Sequence, residues 1–178
     1  MRRTKPAPGE PIWDHWVGDI PEAGLRVRRA AEPGECAQIA RALDLIASRL
    51  TVAYCITPEA SGRFRLTGEL HAEVTQACGV TLEPITSTIA ERLDVAFLPA
   101  DDIPSPLTGE VGLEGEDDPE PMLGGRIAVG RVVFEHLAAA IEPYPRKPEA
   151  MLEKSSTEGE ASAGQGPFAV LASLRTKG

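Results

Sequence analysis

Arg63–Leu98 reads RFRLTGELHAEVTQACGVTLEPITSTIAERLDVAFL, and the fold is decided there. Phe64, Leu66, Gly68, Leu70, Ala72, Val74, Gln76 and Cys78 alternate with Arg63, Arg65, Thr67, Glu69, His71, Glu73, Thr75 and Ala77. A period of two gives one apolar and one wet face, the pattern of a strand half-covered by other elements. A second run from Ile85 is rich in Thr, Ile and Val, with Ile85, Ile89, Leu93, Val95 and Phe97 in register. Gly79–Pro84 between them supplies the turn. The spacing predicts a long antiparallel hairpin at the centre of an α+β domain.

The 178 residues fit one domain with tails. There is no apolar run long enough for a membrane span, and the charged start lacks the apolar stretch of a signal peptide. A cytoplasmic, monomeric protein without membrane contact is expected. Cys36, Cys55 and Cys78 form no C-x-x-C pair and are read as reduced, small core residues, with no metal and no cofactor implied. The net charge of −9 is unevenly spread, because eight acids and no Lys or Arg fall between Pro99 and Gly125. The remaining 18 basic residues face 19 acids, so the body of the domain is almost neutral.

Residues 1–18 are read as a basic arm, with Trp13 and Trp16 either a base-stacking platform or a cover on the core edge. The single α+β domain is placed at 19–148. Leu25–Ala30 alternates as a short strand, and Arg26 and Arg28 on its outer side, with Arg29 close by, are the candidate RNA-binding residues, the alternative being a solvated strand face. Pro33 with Glu32 and Glu35 opens a helix, and Ile39, Leu43, Ile46 and Leu50 extend its apolar stripe to Leu50. From Thr51 the period returns to two through Val52, Tyr54 and Ile56.

Pro99–Gly125 is read as a disordered acidic loop, a solvated insertion or an attractor for a basic partner. Val129, Val132, Val133, His136, Leu137, Ala140 and Ile141 mark a second helix, with His136 a core or boundary residue. The prolines of Pro143-Tyr144-Pro145-Arg146-Lys147-Pro148 hold that segment extended, displaying Tyr144, Arg146 and Lys147 as candidate partner-binding residues; the alternative is a helix terminator packed across the sheet edge. Residues 149–166 form a Glu/Ser/Gly-rich flexible linker. Pro167–Gly178 (PFAVLASLRTKG) is a docking motif, with Phe168, Leu171 and Arg175 as anchors.

VTQACGVTLEPI (Val74–Ile85), GRIAVGRVVFEHLAAAIEPYPRKP (Gly125–Pro148) and PFAVLASLRTKG resemble the YceD family, the large ribosomal RNA subunit accumulation proteins of bacteria and chloroplasts. The resemblance implies a part in ribosome assembly or rRNA processing, and a genomic association with a zinc-ribbon protein of the large subunit. It transfers no catalytic residue. Many relatives carry C-x-x-C after the long strand; here Cys78 matches the first position and Thr81 replaces the second. One thiolate cannot stand in for the four ligands of a structural zinc.

The resulting expectation is an antiparallel meander with two packed helices, a disordered acidic loop and flexible termini, and no enzymatic activity. No phosphate loop, H-E-x-x-H or G-x-S-x-G motif is present. Its partner would be a large-subunit ribosomal protein, an rRNA-processing factor or pre-rRNA. A cytoplasmic adaptor acting away from the ribosome is the alternative.

Overall fold

The computed structural model describes residues 8–103 and 119–148. All of them belong to Met1–Pro148, the first of the two units into which the chain divides. Most of the basic arm's charge, most of the acidic run, the linker, and Phe168, Leu171 and Arg175 lie outside the described residues.

A five-stranded sheet runs in the order β2 (Leu25–Ala30), β3 (Ala47–Pro58), β4 (Phe64–Ala77), β5 (Pro84–Pro99) and β6 (Glu120–Met122). The first four strands form the expected antiparallel meander, while β6 runs parallel to the end of β5. The hairpin pairs Phe64 with Phe97 and continues without a slip to Ala77 opposite Pro84. β6 neighbours only Phe97–Pro99, so along Ile85–Ala96 the outer edge of β5 has no strand partner among the described residues. A separate two-stranded ribbon joins β1 (Asp14–Trp16) to β7 (Arg126–Ala128).

Helices α1 (Pro33–Ala42) and α2 (Val129–Ala140) cover the apolar face of the sheet. Leu50, Val52, Ile56, Leu66, Leu70, Val74, Leu93 and Phe97 meet Ile39, Val132, Val133 and Leu137 in one core. Along β5 the inward register alternates exposed Ser87 and Glu91 with buried Ile89 and Leu93.

Four expectations are corrected. The first helix ends at Ala42, not Leu50: Leu43 closes it with an N–H bond to the Ile39 carbonyl, and Asp44 takes a left-handed φ of 53°. Ile46 is then 60% exposed and Leu50 belongs to β3. The stripe of Ile39, Leu43, Ile46 and Leu50 is a coincidence of spacing across two elements, because Leu50, Val52, Tyr54 and Ile56 satisfy the strand period equally well. The basic arm does not extend to residue 18, since β1 lies within it and Trp13 is only 1% exposed. The acidic loop does not extend to Gly125, since Glu120–Met122 pairs with β5 and Met122 is buried. Of the cysteines, only Cys78 is fully buried; Cys36 and Cys55 are half-buried.

Candidate functional site

Arg29 does not share a surface with Arg26 and Arg28, because alternation along β2 sends it to the opposite face. Its guanidinium lies 4.8 Å from the centre of the Trp13 ring and 3.4 Å from Glu35 Oε1. Trp13 Nε1 donates to the same Glu35 oxygen at 2.7 Å, while Glu35 Oε2 accepts from the Glu32 amide at 2.8 Å and caps α1. Arg29 is therefore a structural cation. Trp13 packs in the core, and Trp16, 49% exposed, stacks beneath Arg126 at 4.1 Å. Next to this network His15 Nε2 and Tyr54 Oη lie 2.7 Å apart. Burial lowers the His15 pKa and raises that of Tyr54 to about 12, keeping both neutral.

Tyr144, Arg146 and Lys147 lie on a strap that leaves the end of α2 and runs along the β4–β5 turn. Three bonds sew it down. Gln76 Nε2 donates to the Glu142 carbonyl at 2.9 Å, the Gly79 amide to the Pro145 carbonyl at 2.9 Å, and Lys147 Nζ to Glu83 Oε2 at 2.7 Å. The strap therefore both terminates the helix and presents a surface. Lys147 is occupied in holding it, while Tyr144 is 77% exposed. On the same end of the sheet Leu82, also 77% exposed, sits in the turn with φ of 60°. A leucine in left-handed backbone with its side chain in water gains nothing for the isolated domain.

Beneath the strap lies Cys78, with no exposed surface. The Thr81 amide donates to its sulfur at 3.5 Å. The Thr81 hydroxyl and the amides of Thr81, Lys147 and Val80 together hold its pKa at about 6, well below the ordinary 9.0. Donors thus surround the sulfur at the start of the β4–β5 turn. Among the described residues no group of three or more His, Cys, Asp or Glu is arranged to hold a metal ion. Sequence spacing marked Cys78 and the strap separately, but not that the strap supplies an amide to the sulfur.

The model of the YceD family, large ribosomal RNA subunit accumulation protein YceD, matches residues 66–175, more than half of the chain. The chain belongs to the YceD family. The matched span takes in the long hairpin, the Cys78 turn, α2 and the strap, whereas β1, β2, α1 and Arg26 and Arg28 precede it. No curated protein and no solved structure matches the chain. Among the described residues no helix is long and apolar enough to cross a membrane.

Proposed function

We propose that this YceD-family protein supports the accumulation of large-subunit ribosomal RNA as a cytoplasmic binding factor with no chemistry of its own. It would hold a large-subunit ribosomal protein or an rRNA-processing factor at the end of its sheet. The observation behind this reading is the strap sewn across the β4–β5 turn, which fixes Tyr144 and Arg146 on stiff backbone beside the exposed Leu82. Rigid aromatic and arginine side chains around an apolar contact are the usual anchors of a protein interface, since little conformational freedom is lost when they are covered.

The test is a gradient of lysate carrying the tagged full chain, comparing it with a Tyr144→Ala/Leu82→Asn variant. Asn tolerates the left-handed backbone at position 82, so folding is retained. Co-migration of the wild type with large-subunit precursors, lost in the variant, supports the reading. A wild-type protein that stays at the top of the gradient would sink it.

A further inference from the structure

The face of the sheet opposite the helices is uncovered among the described residues, and strand register turns it into ordered rows. Arg26, Cys55, Thr67 and Asp94 form one row across β2–β5, and Arg28, Ala53, Glu69 and Arg92 form the next. Two hollows lie along these rows. One, of about 540 Å³, is lined by Arg26, Arg28, Ala53, Cys55, Thr67 and Glu69 among others. The second, of about 500 Å³, adds Arg92 and Asp94, and both contain Thr67, Gly68 and Glu69. They are continuous. The result is a shallow, open trough with Arg26 and Arg28 on one side and Arg92 on the other, floored by Ala53, Cys55, Thr67 and Gly68, with Glu69 between the arginines. Three inter-strand spacings separate Arg28 from Arg92, on the order of 14 Å.

Three acids share this face with five arginines: Arg65 grips both oxygens of Asp94 at 2.7 and 2.9 Å, Glu69 lies 3.7 Å from His71, and Glu73 stands opposite Arg49. The side chains of Arg26 and Arg28, by contrast, make no hydrogen bond or ion pair among the described residues and are exposed. Positive charge is therefore left over on one face of a chain whose net charge is −9. The face also carries no Phe, Tyr or Trp in its outward register. Unpaired bases would find nothing to stack on, whereas phosphates and 2′-hydroxyls would meet guanidinium groups and threonine hydroxyls.

The geometry points to this trough as a contact site for the sugar–phosphate backbone of folded, double-helical RNA. The inference rests on the proposed part in rRNA accumulation and adds a second surface, on the opposite side of the sheet from the helices and distinct from the strap. With few arginines and acids close by, binding is weak and salt-sensitive. Recognition is by backbone shape, without base sequence.

The experiment measures affinity of the full chain for a short RNA duplex and for an oligouridine with the same number of phosphates, over a salt series. The Arg26→Gln/Arg28→Gln/Arg92→Gln variant is compared, with unchanged thermal melting as the check on folding. The wild type is expected to bind the duplex several-fold more tightly than the oligouridine. The variant is expected to lose at least tenfold, with its log–log salt slope shallower by about one for each arginine removed. Duplex affinity unchanged in the variant, or an oligouridine bound as tightly as the duplex, would overturn the assignment. Persistent co-migration with precursors alongside unchanged duplex affinity would remove the trough and leave the ribosomal reading standing. Absence of the wild type from precursors with normal duplex affinity would remove the ribosomal reading instead.

Discussion

At the scale of single residues, Cys78 and Gly68 make the sharpest claims. The donors around Cys78 favour the thiolate, so its folded pKa of about 6 lies below the 9.0 of an unconstrained thiol. Between those values the unfolded chain binds the extra proton and the folded one does not, so stability rises with pH. The contribution is complete above about pH 9 and absent below about pH 6. Denaturation midpoints measured across that window should climb in the wild type and run flatter in Cys78→Ser. A thiolate absorbance titrating near pH 9 in the native protein would refute the assignment. Gly68 has a different role: a Cβ there would stand 2.3 Å from the Ala53 carbonyl oxygen and 2.8 Å from Tyr54 Cα. Gly68→Ala must push β3 and β4 apart, and a loss of about 1–3 kcal/mol is expected in chemical denaturation.

At the scale of elements, α1 is short and polar on much of its surface, and Glu35 does much to fix it. The carboxylate caps the helix, receives the Trp13 indole and faces Arg29. Glu35→Ala should cost about 1–3 kcal/mol by denaturant unfolding, because a buried indole N–H loses its acceptor along with the cap. Arg29→Ala should cost less, since that cation is partly in water. The long hairpin should respond to core truncation instead: Leu70→Ala, fully buried, should cost about 2–5 kcal/mol. The hairpin was legible from sequence because sixteen successive positions keep one period, with Gly68 in step on the apolar side. The end of α1 was not legible, since Ile46 and Leu50 fit both periods and the deciding event is a left-handed Asp44. Three-residue strands such as β6 and β7 carry too few positions to show any period. The candidate site divides in the same way. Proline spacing marked Pro143–Pro148 as extended but left display and helix termination equally open, the opposite facing of Arg29 depends on treating 28 and 29 as consecutive strand positions, and Leu82 gives no signal until its backbone is seen.

At the scale of the whole molecule, one side of the sheet is apolar and roofed by helices, the other is wet and uncovered among the described residues, and the strap lies at one end. The proposed binding surfaces are therefore separable. Removing Tyr144 and Leu82 should leave duplex affinity unchanged, and removing Arg26, Arg28 and Arg92 should leave thermal melting unchanged; the two variants together test this independence in a single set of titrations. The ribbon of β1 and β7 has a consequence for the order of folding. Strands β2–β5 follow one another closely in the chain, so the meander can zip from local contacts as soon as its residues are available. Asp14 and Arg126, by contrast, meet across 112 positions of sequence. Until β7 and α2 exist, the buried Trp13 has nothing to complete its pocket. During synthesis the N-terminal strand must wait for almost the entire domain, and on refolding the indole emission of Trp13 should report the closing of the chain upon itself, after the sheet has formed.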